Sequence, residues 1–187
     1  MKLNTIWWVL IAILGGFYGL VLVLMLNPAV SEDYRQYYIS RESGLSPNQL
    51  GRLQPINGVE VAGFRSEKIG FDSWSNAEAE FRWSLGHSPK LHFILNSQQA
   101  LDSIGAIGLR FLPMGQQSVE IFVNNHLLSE EAYDGSVAVE ITLAMPPALL
   151  RVGNNTVSFE LPDARMPGNA DARVLGVALF EVSFKPH

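Results

Sequence analysis

The stretch GFDSWSNAEAEFRWS, Gly70 to Ser84, brings two tryptophans, two glutamates and an arginine into one short interval. Side chains of these types suit a sugar: the C–H-rich face of a pyranose packs on an aromatic ring, while its hydroxyls seek carboxylate, amide or guanidinium partners. Trp74, Glu78, Arg82 and Trp83 are the candidate ligand-binding residues here. Strand alternation from Glu78 would set Glu78, Glu80 and Arg82 on one face and Phe81 and Trp83 on the other, so the two tryptophans need not serve one surface. For Trp83 the favoured reading is a core aromatic on a strand. Trp74, in a loop beside turn-forming residues, is the better ligand candidate, because loops on a rigid scaffold commonly carry binding groups.

Asp171 and Arg173, in NADARVLG, pose a similar choice. Two residues apart on an entering strand, they would share a face and could present a charge pair to a sugar or phosphate. The favoured alternative is structural, an arginine–carboxylate clamp on the preceding loop, with Glu78 as partner to Arg173 or Asp171 as partner to Arg82. Other chemistries find little support. There is no Gly-x-Ser-x-Gly elbow and no glycine-rich phosphate loop followed by Lys-Ser/Thr. His87, His92, His126 and His187 have no close ligand spacing and read as surface histidines. No loop of alternating acids suggests calcium. Paired carboxylates could act on a glycosidic bond, but Asp163 and Asp171 read equally well as turn residues. No cofactor and no catalytic residue is assigned.

The chain that must position these residues has 187 of them, enough for one membrane anchor and one domain. Its net charge of -5, with scattered basic residues, argues against nucleic acid. Having no cysteine, it has no disulfide or thiolate chemistry. From Leu3 to Leu26 no side chain is charged, and a helix of that length can cross a hydrocarbon core of about 30 Å. Lys2 before it and Glu32 and Asp33 after it favour a cytoplasmic N-terminus, with Trp7 and Trp8 in an interfacial belt. Ala29 and Ser31 offer a cleavage site, but the apolar run exceeds the ~7–15 residues of a signal-peptide core, so an uncleaved anchor is favoured. Gly15, Gly16 and Gly19 could admit a second helix closely.

Residues 1–31 are thus an anchor, and 32–57 an extended linker with one short strand near Tyr37 to Ser40. Residues 58–187 form the soluble domain. In that domain KLHFILN, IGLRFLP, SVEIFVNN, VAVEITLA, NTVSFELP and GVALFEVSF are strand-length, several with a period of two. Turn signals separate them at Asn124-Asn125, Asp134-Gly135, Gly153-Asn154-Asn155 and Pro167-Gly168-Asn169, and MPPALLRVGNN reads as a short helical crossing. The expected fold is all-β, an antiparallel β-sandwich or jelly roll after one transmembrane helix.

Taken together, the Gly70–Ser84 segment, the succession SVEIFVNNHLL…VAVEITLAMPPALLRVGNNTVSFELP and the closing DARVLGVALFEVSF resemble a family. It is the uncharacterised β-sandwich domain attached to bacterial membrane glycosyltransferases and phosphoglycerol transferases of the cell envelope, matched from about Gly63 to Phe184. The resemblance implies a periplasmic module in glycan assembly or modification, held at the bacterial inner membrane. It supplies no activity. Since no transferase accompanies the module here, the expectation is an accessory subunit that binds an envelope glycan or glycolipid beside a membrane glycosyltransferase. The alternatives are a structural subunit that clamps such an enzyme and binds no sugar, and a periplasmic glycan hydrolase or transferase.

Overall fold

The computed structural model describes residues 3–26, 45–168 and 171–187, without the side chains of 3–6, 9, 22–24, 26 and 47. The short strand expected near Tyr37 to Ser40 and the cleavage site at Ala29 and Ser31 lie outside the described residues. The chain divides into two compact units, Met1–Arg41 and Glu42–His187. In the first, Leu3–Leu26 is one helix, α1, of 24 residues. Its described side chains are apolar on every side, and Trp8, Ile13, Phe17 and Leu20 are all well exposed. Over the described residues no helix is long and apolar enough to cross a membrane.

The second unit consists of two five-stranded antiparallel sheets. One has the order β2 (Gly70–Asp72), β4 (Lys90–Leu95), β9 (Gly153–Glu160), β6 (Gln117–Val123) and β7 (His126–Tyr133). The other runs β1 (Glu60–Gly63), β10 (Val177–Lys185), β5 (Ala106–Pro113) and β8 (Val139–Ala144), while β3 (Arg82–Trp83) shares the β1 side of β10. The period of two in the sequence is the reason they face each other. Leu91, Phe93 and Leu95 alternate with Lys90, His92 and Ile94, and Val119, Ile121 and Val123 with Ser118, Glu120 and Phe122, so each strand buries one side. Phe93 of the first sheet meets Phe184 of the second with ring centroids 5.0 Å apart, within a core of buried apolar side chains.

The six expected strands are present, with bounds shifted by a residue or two at most ends. The expected helical crossing is a 3-10 turn at Pro147–Leu149. Missing from the sequence reading are the short β1 and β2, and β7, whose Glu130, Glu131 and Ala132 are exposed on a sheet edge where alternation has nothing to enforce it. Two short helices, α2 (Pro47–Leu50) and α3 (Gln98–Asp102), also escaped it. α3 starts at Ser97, whose hydroxyl accepts from Ala100 N at 3.2 Å. Ile56, assigned to the linker, is fully buried and forms a parallel bridge with Leu95. An apolar side chain next to an extended strand end gains more from the core than from water.

Asn124 and Asn125 join β6 to β7 with φ of 47° and 69°, the left-handed pair that a tight hairpin needs and asparagine tolerates. Asn124 is also pinned from its side chain: Nδ2 donates to Leu149 O and to Asn155 Oδ1, and Oδ1 accepts from Thr156 N. The turn is therefore tied to β9 and to the 3-10 turn together.

Candidate functional site

The Gly70–Ser84 segment starts in one sheet and ends in the other, which decides where its side chains go. Trp74 does not stand in an open loop. It is 7% exposed, its indole N–H donates to Lys90 O at 3.0 Å, and its ring packs edge-on against Phe159 and Phe71. No face is left for a sugar. The extended strand expected from Glu78 is also absent: the backbone bends at Ala79 and Glu80, and only Arg82 and Trp83 pair with β10.

The two faces come out inverted. Arg82 lies opposite the buried Leu179, and Trp83 opposite Ala178, so the arginine takes the core side and the tryptophan the outer side. The guanidinium lies 4.3 Å from the Phe71 ring centroid and donates to Phe64 O and Ser75 O. Burial, followed by the nearby Arg65, lowers its pKa, and two carbonyls with one aromatic face hold it at the sandwich edge. Arg82 is a staple. Trp83 is half-buried and meets Phe81 at 5.5 Å, and Phe81 meets Phe180 at 5.8 Å, all edge-on. Arg110 covers the Phe180 ring at 5.2 Å. This outer-face aromatic patch is not the core position expected for Trp83.

Glu78, Asp171 and Arg173 do come together. Arg173 forks onto Asp171, with Nη2 to Oδ2 at 2.7 Å, and reaches Glu78 Oε1 at 3.5 Å. The hydrogen bonds from the Arg173 side chain hold the Asp171 carboxyl down at about 2. This is the clamp in its Glu78 form; Arg82 spends itself on carbonyls. The cluster is solvent-exposed, so it orders the 171–176 segment without adding much stability. The six candidate residues thus separate into core (Trp74), staple (Arg82), patch (Trp83) and clamp (Glu78, Asp171, Arg173).

A hollow lies elsewhere, at one end of the sandwich. A cleft of about 410 Å³ is lined by Gln116, Gln117, Ser118, Ala132, Tyr133, Asp134, Asp163 and Arg165, a size that suits a small ligand. Three connections build it: the β5–β6 turn, the β7–β8 turn and the loop after β9. Asp163 Oδ2 accepts from Ser118 N at 2.8 Å, tying the third to the first. Arg165 donates to Gln116 O and Met114 O and exchanges backbone hydrogen bonds with Leu175. The Tyr133 ring leans edge-on against Phe111 at 5.5 Å, and its hydroxyl donates to Glu131.

Gly135 holds the β7–β8 turn with φ of 76°, and a Cβ there would collide with the Gly115 backbone. Both the left-handed geometry and the close approach require glycine. Gly135→Ala is expected to lose at least about 2 kcal/mol, read as a shift of the urea midpoint, with the cleft disordered first. Unchanged stability would mean that the two turns separate freely.

Hydrogen bonds from the Ser136 backbone and hydroxyl lower the pKa of Asp134. Ser118 does the same for Asp163, with Arg165 assisting. Burial and the bond to Glu131 raise the Tyr133 hydroxyl to about 12. The cleft therefore presents two ionised acceptors at neutral pH, whereas glycosidic cleavage needs one carboxyl held protonated to donate to the leaving oxygen. Among the described residues no group of three or more His, Asp or Glu side chains could hold a metal ion. His92, expected at the surface, is half-buried between Asp72 and Thr156.

Sequence reading missed this cleft because its residues come from three turns far apart in the chain, and each alone is turn chemistry. In sequence Asp163 reads as a candidate carboxylate paired with Asp171 or as a turn residue, not as part of this cleft. The available signal was Asp134-Gly135 and Pro162-Asp163 flanking strands that end on the same side.

Neither a protein-family model nor a curated protein sequence matches the chain. Among solved structures it is similar to the CBM36-1 domain of a multidomain xylanase from the hindgut metagenome of Trinervitermes trinervoides, at 14% identity and a TM-score of 0.45, over 70% of this chain and 98% of that one. It is also similar to a carbohydrate-binding module CBM36 in complex with calcium and xylotriose, at 12% identity and TM-score 0.43, over 67% and 99%. A family 35 carbohydrate binding module from Clostridium thermocellum aligns at 12% identity and TM-score 0.39, over 66% and 96%. At TM-scores below 0.5 these similarities decide nothing about ligand or activity.

Proposed function

We propose that this protein is a glycan-binding accessory module, anchored by α1 in the bacterial inner membrane with its sandwich in the periplasm, that serves envelope polysaccharide synthesis or modification. The observation that carries the binding is the end cleft. An aromatic wall (Tyr133), ionised acceptors (Asp134 and Asp163), a guanidinium (Arg165) and amides (Gln116 and Gln117) converge on a volume near that of one or two sugar units. The anchor rests on the sequence, in which no side chain from Leu3 to Leu26 is charged, a run whose length as a helix suits lipid. Anchoring raises the local concentration beside a membrane glycosyltransferase, so even a weak single contact counts.

Titration calorimetry of the full chain in detergent micelles free of sugar headgroups, against a panel of envelope oligosaccharides, tests this reading. The expected result is saturable binding of at least one glycan, weakened at least about tenfold by Asp163→Asn or Gln116→Ala. Failure of every glycan, or binding that both substitutions leave intact, would sink it.

The burial of Trp74 and the outer-face patch of Phe81, Trp83 and Phe180 favour a second reading, a structural subunit that clamps a membrane glycosyltransferase without binding sugar. Half-exposed aromatic rings with an arginine at the rim suit a protein partner. Under that reading Trp83→Ser abolishes co-purification with the partner while the cleft substitutions do nothing.

A further inference from the structure

A second hollow, of about 230 Å³, lies on the outer face of the β2–β4–β9–β6–β7 sheet, away from the end cleft. Its lining is Lys90, His92, Asn124, Asn125, Arg151, Thr156 and Ser158. In a chain with net charge -5, this lining contains two permanent cations and no carboxylate.

The strand register explains the convergence. Lys90 is paired with Ser158, and His92 with Thr156, so all four project outward from neighbouring strands. The Asn124-Asn125 turn closes one side, fixed to β9 by the hydrogen bonds of Asn124. Arg151 closes another, anchored through Nε to Asn154 O at 2.7 Å, so that its two terminal nitrogens have no partner among the described residues. Among the described residues the Asn125 amide and the Ser158 hydroxyl likewise have no partner, and the Lys90 ammonium donates no hydrogen bond, its one charged neighbour being the Asp72 carboxylate across the strand pair.

Asp72 stands opposite Lys90 on β2, is 7% exposed and has Oδ2 at 3.7 Å from His92 Nε2. Glu160, further along β9, accepts from Ser88. Neither lines the hollow. Unused donors thus approach from two strands, a turn and a loop, an arrangement that suits a tetrahedral anion with several oxygens better than a planar carboxylate.

We propose that this hollow is an oxyanion site for a phosphoryl group, with Lys90 and Arg151 carrying its charge and Asn125 and Ser158 orienting its oxygens. The site is independent of the glycan cleft, and either can fail without the other. A phosphoryl group can come from a lipid headgroup or from a dissolved phosphate ester, and the chemistry at the hollow is the same.

The test uses the 15N-labelled full chain in amine-oxide micelles, titrated with inorganic phosphate at ionic strength held constant with chloride. Saturable shifts are expected at Asn125, Thr156 and Ser158, with the dissociation constant rising at least about tenfold in Lys90→Gln/Arg151→Gln. Lys90→Gln alone, at an exposed side chain whose loss breaks no hydrogen bond, guards against misfolding and should weaken binding in the same direction. The same residues responding to phosphatidylglycerol nanodiscs would identify a lipid headgroup as the source, and a response to dissolved phosphate alone a soluble ester. Shifts that acetate reproduces at the same concentration, phosphate binding unchanged by the substitutions, or no saturable response would overturn the assignment.

Discussion

Trp74→Ala is expected to destabilise the sandwich by about 3–5 kcal/mol, the usual cost of truncating a buried tryptophan. The indole fills the space between Phe71 and the fully buried Phe159, and its N–H satisfies Lys90 O. Truncation opens a cavity and removes the donor to a main-chain carbonyl at once, and Trp74 lies where the chain passes from β2 towards β3, so both sheets lose an attachment. Arg173→Ala, by contrast, removes exposed ion pairs that water largely replaces, and its denaturation midpoint should stay near that of the unaltered chain. Equilibrium urea unfolding followed by far-UV circular dichroism distinguishes them. If Trp74→Ala were as stable as Arg173→Ala, the indole would not be a core residue, and its role as a sugar platform would reopen.

The second large effect belongs to Asn155, the polar side chain in the interior with the most complete set of partners. It is 0% exposed. Its Nδ2 donates to Arg151 O at 2.7 Å and Gly153 O at 3.0 Å, and its Oδ1 accepts from Arg151 N at 3.0 Å and Asn124 Nδ2 at 2.9 Å. Asn155→Leu keeps the branched side-chain shape and forfeits all of these bonds, with an expected loss of about 2–4 kcal/mol, because the groups left behind are only partly within reach of water. Asn155→Asp keeps the two accepted bonds but turns the two donated ones into contacts between acceptors, so it too should be destabilised. Urea midpoints for both variants decide the matter. A stable aspartate variant would show that the donors are dispensable and that the loop is held by Asn124 alone.

The strands that could be read from sequence were those on which the core imposes alternation, such as Val119, Ile121 and Val123. The strands that could not were too short to show a period or, like β7, ran along an edge where Glu130 and Glu131 face water. The candidate site was harder to read for a related reason. Composition showed that tryptophans, arginine and carboxylates were close in sequence, but a strand's face depends on what lies opposite it. Leu179 opposite Arg82 and Ala178 opposite Trp83 are pairings 97 and 95 residues apart (179 − 82; 178 − 83), and they reversed the expected orientation. The Arg173 clamp was foreseeable because complementary charges find each other over short reach. Both hollows draw on residues from several turns or strands, and nothing local marks such an assembly.

The position of β10 has a consequence for how the chain acquires its shape during synthesis. This strand follows every other described strand in sequence, yet it lies inside its sheet, pairing with β1, β3 and β5. Emerging from the ribosome, β1 and β3 have no neighbour in that sheet until Val177–Lys185 has been made, and one hydrogen-bonding edge of β5 waits unpaired. Closure is therefore a late, long-range event, of the kind that is slow and exposed to aggregation while it is pending.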